Sequence, residues 1–199
     1  MTADIFQSGD HATELGAEER LELIPSLTTR AELNEVERLQ INAARVWALR
    51  AAALRRPDLL TDSFARELHQ RMFHQVWRWA GRFRTANKNL GWEFHRVTEG
   101  VRHAFDDAQA WLDHDAYPLA EAAVRLHHRL FVIHPWPNGN GRHARLMADI
   151  VVASRQGKDL TWGARADLAG LGDVRNRYLV ALRRADAGDF VPLLAFAQS

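Results

Sequence analysis

The sequence predicts an all-α domain carrying one short β-hairpin, and three observations lead there. Apolar residues recur at three- and four-residue steps over most of the chain. The periodic stretches are punctuated by Pro, Gly and capping residues. Between Arg82 and Val97 the helical period fails.

Residues 1 to about 25 keep no stable period and close at Pro25, so they are expected to form an irregular arm, with a single domain over 26–199. From Thr28 or Thr29, either able to cap a helix, Leu33, Val36, Ala44, Trp47, Ala51 and Leu54 predict one long amphipathic helix ending before Pro57. Asp62 or Ser63 caps a second, through Phe64, Leu68, Met72, Val76 and Trp79 to Gly81. Next, FRTANKNLGWEFHRV has β-compatible residues on each side of Asn89-Leu90-Gly91, which predicts the hairpin. Helices are expected again from Thr98 through Leu112, from Pro118 into Ile133, and from Arg142 to Gly157, followed by two around 165–186 and 189–197.

Composition narrows the functional classes. With 26 Lys+Arg against 25 Asp+Glu the net charge is +1, which announces no nucleic-acid partner. The absence of cysteine excludes disulfides, cysteine zinc sites, Fe–S clusters and thiol catalysis, and makes the cytoplasm the expected compartment. The first twenty residues lack a basic stretch followed by an apolar run, and no apolar run reaches the roughly 18 residues of a spanning helix, so neither secretion nor a membrane is expected.

Chemistry concentrates in His134-Pro135-Trp136-Pro137-Asn138-Gly139-Asn140-Gly141-Arg142-His143-Ala144-Arg145, a tight loop leading into a helix. Gly139 and Gly141 permit positive φ and remove side chains, so that backbone N–H groups converge on an anion, and the helix adds its positive end. Arg142 and Arg145, three apart on one face, suit neighbouring phosphates. No Gly-Lys-Ser/Thr follows, so this is not a Walker loop. His134, ending the preceding helix, is placed to take a proton from a hydroxyl. Alone, the histidine reads as a helix cap and the Gly-Asn-Gly as a turn; with two spaced arginines they read as a polyphosphate site.

This segment resembles the signature of the Fic family, His-Pro-Phe-x-Asp/Glu-Gly-Asn-Gly-Arg-x-x-Arg, with Trp136 in place of Phe and Asn138 in place of the acid. The stretch RMFHQVWRWAGRFRTANKNLGW, with its Trp-Ala-Gly-x-x-Arg, resembles the family upstream of the signature, so the likeness covers about residues 28–155. NGNGRHAR together with TTRAELNEVE also resembles a bacterial subgroup, mobile mystery protein B, often encoded beside a helix-turn-helix partner.

The resemblance implies an adenylyltransferase: ATP binds, a Ser, Thr or Tyr hydroxyl of a target protein attacks the α-phosphorus, and pyrophosphate leaves. It makes His134 the base. Gly139, Asn140 and Gly141 become the oxyanion and phosphate donors, and Arg142, assisted by Arg145, the phosphate clamp. The family's acid binds Mg²⁺, for which Asn138 is a weaker, neutral ligand. The hairpin matches the family's flap, which aligns an extended target by strand addition at Lys88, Asn89, Leu90 and Gly91, with Arg84, Lys88 and Arg96 favouring an acidic one. Thr28-Thr29-Arg30-Ala31-Glu32 resembles the family's inhibitory helix, which implies that Glu32 pairs with Arg145 and displaces the γ-phosphate. Leu33 departs from that pattern, and Glu35 and Glu37 are alternatives on the same helix.

Two other functions compete: a catalytically silent nucleotide-binding module, which Asn138 favours, and a phosphotransferase like the Doc toxins, which depart from the Gly-Asn-Gly-Arg retained here. A metal hydrolase on His127, His128 and His134 fails, because the first two point about 100° apart on a helix. His69, His74, Trp77, Trp79 and Trp111 read as core or surface residues without a role.

Overall fold

The computed structural model describes residues 16–27, 29–163 and 172–199, and among them regular structure is helical, with no sheet. In chain order the helices are α1 (Ala17–Leu21), α2 (Arg30–Ala48), α3 (Ala51–Leu54), α4 (Asp62–Phe73), α5 (Val97–Asp113), α6 (Leu119–Ile133), α7 (Asn140–Ser154), α8 (Asp173–Asp186) and α9 (Val191–Ala197).

Helices α6 and α7 form the centre. They carry nearly continuous apolar faces, pack on each other through Leu126, Leu130, Ala144, Met147 and Val151, and are joined by the loop 134–139. Helix α5 covers α6 on one side, and α2 lies on α4. The loop's Trp136 is fully buried among Phe83, His69 and His143, which anchors the loop in the core.

The expected helix from 28/29 to 57 is realised in two pieces. Thr29 caps α2 in a reciprocal capping box with Glu32, whereas Thr28 lies outside the described residues. Arg50 takes an extended conformation that turns α3 onto α7, a break that no Gly or Pro signals. Helix α4 is capped by Thr61 and stops at Phe73, short of Gly81. Beyond it the backbone pairs with the arm: Ile24 N–H donates to Val76 O (2.9 Å), Arg78 N–H donates to Glu22 O (3.0 Å), and Leu23 bridges to Trp77. The described part of the expected irregular arm is thus a short helix and a docked strap. Of the segment 165–186, residues 164–171 lie outside the described residues, and the remainder is α8.

The hairpin is not formed. Residues 84–93 make a loop whose backbone donors go to the signature instead, Arg84 N–H to Pro135 O (2.9 Å) and Trp92 N–H to Ile133 O (3.3 Å). Strand pairing would have required those same groups for its own ladder. Among the described residues no helix is long and apolar enough to cross a membrane.

Candidate active site

His134 closes α6 in the left-handed conformation (φ 56°, ψ 59°), which takes the chain out of the helix. For a residue with a Cβ this costs about 1–2 kcal/mol, so the surroundings must hold it. The Arg84 guanidinium does so from below, its Nε donating to His134 O at 2.7 Å. The ring is assigned Nδ1–H, because Nδ1 faces Phe131 O at 3.1 Å, and that leaves the lone pair on Nε2. Burial pushes its pKa down to about 4; the Phe131 carbonyl opposes this and the Arg84 cation adds to it. The imidazole is therefore neutral at physiological pH.

Beyond His134 the loop is stapled on both sides. Asn140 accepts from Trp136 N–H and donates back to Trp136 O, each at 2.8 Å, so its amide organises the loop while its backbone begins α7. His69 is the second staple: Gly81 N–H donates to Nδ1 (3.0 Å), and Nε2–H therefore donates to Asn138 O (3.1 Å). Its ring stacks on Trp136 with centroids 4.1 Å apart. The sequence offered one clue to this role, an ionisable residue between Leu68 and Met72 on the apolar face of α4.

Gly139 caps α7 at φ 80°, and a Cβ there would overlap the Phe73 ring. The N–H groups of the first turn after it have no acceptor within the helix and sit at its positive end. The Arg145 guanidinium folds back over Gly141 and lies against Tyr178. Arg142 lies over Phe73 and is bound by Glu37 at 2.7 Å. The Gly139 cap and both arginines thus lie in the first turns of α7, and His134 ends the helix before it.

The carboxylate that reaches this site is Glu37. It is 2% exposed, and it takes the Trp77 indole N–H on one oxygen (2.9 Å) and Arg142 on the other. Glu32 is spent on the Thr29 cap, and Glu35 on Arg38 at the surface. The signal for Glu37 was present: Leu33, Glu37, Ala44 and Ala48 share the buried stripe of α2, so one position of an apolar face carried a charge. Nothing local marked Trp77 as its partner.

Asn138 Oδ1 accepts from Gly139 N–H at 2.7 Å. One neutral oxygen already engaged does not make an Mg²⁺ site, and among the described residues no group of three or more His, Cys, Asp or Glu is placed to hold a metal. His128 pairs with Asp186, and His127 with Tyr178, away from His134. In the loop 84–93, Asn89 and Gly91 are exposed and Leu90 is half-buried, but Lys88 is turned inward onto Glu19 of α1. Gly91 lies directly against His134, where a Cβ would overlap that of the histidine.

Residues 59–152 match the model of the Fic/DOC family. Over these residues the chain carries a Fic-type domain. Protein adenylyltransferase fic-1 of Caenorhabditis elegans is 29% identical over 122 residues, 59% of this chain but 22% of that protein, so the chain spans about a fifth of that relative's length. The Fic domain also superposes on BepC of Bartonella tribocorum, solved with AMPPNP (TM-score 0.68, 14% identity, 92% of this chain and 97% of that one). An N-terminal Fic domain from Bartonella quintana, solved with ADP, superposes with TM-score 0.65 at 16% identity, over 88% of this chain and 87% of that one. Fic-1 of C. elegans gives 0.63 at 22% identity, over 91% and 52%. The helical architecture is shared with all three.

Proposed function

We propose that this Fic domain transfers AMP from ATP to a hydroxyl side chain of a protein. The observation that carries the reading is the ring of His134. With Nδ1–H committed to Phe131 O, the lone pair lies on Nε2, in a residue that ends α6 five positions before the glycine capping α7. Nε2 takes the proton of a Ser, Thr or Tyr hydroxyl as its oxygen bonds to the α-phosphorus, and the bond to pyrophosphate breaks. Negative charge developing on the phosphates meets the N–H groups at Asn140 and Gly141, the Gly139 N–H being held by Asn138 Oδ1, with Arg142 and Arg145 holding the outer phosphates. A base of pKa about 4 is weak, but such transfers have loose transition states that need positioning more than early deprotonation. Asn138 would offer Mg²⁺ one neutral oxygen, and a metal carried by ATP would neutralise phosphate charge.

In the ground state Glu37 occupies Arg142, so a triphosphate gains that guanidinium only when Glu37 withdraws. We therefore assign the inhibitory contact to Glu37 and Arg142, in place of Glu32 and Arg145. The loop 84–93 lies against His134 and is the surface that aligns the target.

Asn138 together with the engaged Arg142 favours a second reading, a silent nucleotide-binding module. Intact-mass analysis of the full chain and of lysate proteins after incubation with ATP and Mg²⁺ decides between them. A gain of one AMP unit supports the proposal, a gain of one phosphate replaces it with phosphotransfer, and binding without mass change supports the silent module. The helix-turn-helix partner that the subgroup resemblance implies is tested by co-purification with the neighbouring gene product.

A further inference from the structure

Arg84 is 3% exposed, yet its side-chain hydrogen bonds end on backbone carbonyls and none on a carboxylate. Nη1 donates to Ala86 O at 2.9 Å and Nη2 to Trp92 O, the two ends of the exposed part of the loop. Nε donates to His134 O at 2.7 Å, and Nη2 approaches Ile133 O at 3.5 Å. The last two are carbonyls at the C-terminus of α6, where a cation is favoured and where the chain has left helical geometry. Two backbone bonds run alongside, Arg84 N–H to Pro135 O and Trp92 N–H to Ile133 O. Burying a guanidinium is costly unless its donors are all engaged, so this planar fork is held only while loop and helix end are both in place.

We propose that Arg84 is a positioning residue that couples the target-docking loop to the base: one guanidinium closes the loop at Ala86 and Trp92 and holds the carbonyl of left-handed His134. The loop and the imidazole are therefore set together, and displacement of either loosens the other. The proposal rests on the assignment of His134 as base and of 84–93 as docking loop. Arg84 takes no part in phosphate binding, because its donors are used on backbone carbonyls of the loop and of the end of α6.

The test uses the full chain with Arg84→Lys, which keeps the charge but not the fork, and Arg84→Gln, which keeps neither. Titrating ATP in the auto-labelling reaction, both variants should lose at least about 10-fold in kcat while the KM for ATP, and ATP affinity measured directly, stay within about 2-fold. In hydrogen–deuterium exchange the Trp92 and Phe94 amides should lose protection together with those of His134 and Trp136. Wild-type kcat in Arg84→Lys overturns the proposal. So does ATP affinity falling in step with kcat, or exchange rising in the loop alone. The exchange experiment needs no turnover, so a chain that transfers nothing refutes the proposed function and still leaves the coupling decided.

Discussion

Replacing Glu37 by Gln removes one negative charge from the phosphate site and keeps the shape and the acceptor that meets Trp77. Glu37 Oε2 sits 2.7 Å from Arg142 Nη1, so a phosphate oxygen taking the same nitrogen would lie about 4 Å from the carboxylate at its nearest. At an effective dielectric of about 20 the repulsion is about 332/(20 × 4), or about 4 kcal/mol, as an upper value. Arg142 is 25% exposed and the solvent carries salt, so about 1.5–3 kcal/mol should survive, equivalent to about 10–100-fold tighter ATP binding. Stability should move the other way. The buried charge-assisted hydrogen bond lost with the carboxylate is worth about 2 kcal/mol, a fall of about 4–8 °C in Tm for a chain of this size. Calorimetric titration with ATP, beside thermal unfolding without nucleotide, reads both, and initial labelling rates should rise with the affinity. Glu32→Gln is the control: it weakens the Thr29 capping box by about 0.5–1 kcal/mol and leaves ATP affinity unchanged. Opposite movements in affinity and stability cannot come from general unfolding. If ATP binds Glu37→Gln no more tightly than wild type, Glu37 is a structural ion pair and the inhibitory assignment is wrong.

Other consequences follow from the same geometry. His134→Ala should lower transfer by about 10²–10⁴ while ATP affinity stays within 2- to 3-fold, because the ring contacts the hydroxyl and not the phosphates; labelling at the wild-type rate would remove it as base. Burial holds His134 and His143 near pKa 4, and His69 and His127 well below the ordinary 6.5. Their folded values lie below their unfolded ones, so the unfolded chain binds more protons in between. Stability is then full above about pH 6.5 and falls by several kcal/mol as the pH drops through about 4; urea midpoints that do not fall between pH 7 and pH 4.5 would contradict the burial of these rings. Asn138→Asp keeps the acceptor for Gly139 N–H and adds a charge, so ATP binding should gain a Mg²⁺ dependence that Asn138→Ala lacks, as titration with and without the metal would read.

What could be read in advance follows the range of the physical signal. Helices α4 to α9 declare themselves through periods and caps a few residues long, and the signature loop through glycines and arginines adjacent in sequence. Each of these is a local property, set by φ/ψ preference and by which face a side chain occupies. The hairpin between Arg82 and Val97 was misjudged for the complementary reason. Its residues suit a strand, but the backbone donors of Arg84 and Trp92 found acceptors in Pro135 and Ile133, some forty to fifty residues away. The end of α4 at Phe73 is similar, since residues 76–78 pair with an arm that no local pattern attaches to them.

The sequence by itself determined the all-helical class, the order of its main helices, and the placement of His134, Gly139, Gly141, Arg142 and Arg145 in one loop and the helix it starts. Only the tertiary structure decided which carboxylate meets the arginines. Glu32 and Glu37 are five residues apart, about 140° around α2, and both are acidic residues in its first half. The rotation of α2 on α4 buries the face shared by Leu33 and Glu37, and Trp77 supplies the donor that makes a buried carboxylate tolerable. Arg84 and His69 were settled in the same way. Each is an ordinary polar residue locally and becomes a support for the site because its partners, His134 and Asn138, arrive from distant parts of the chain. Periodicity reports which residues share a face; it carries no information about which faces meet, and that is fixed by packing and by the need to satisfy every buried donor and charge.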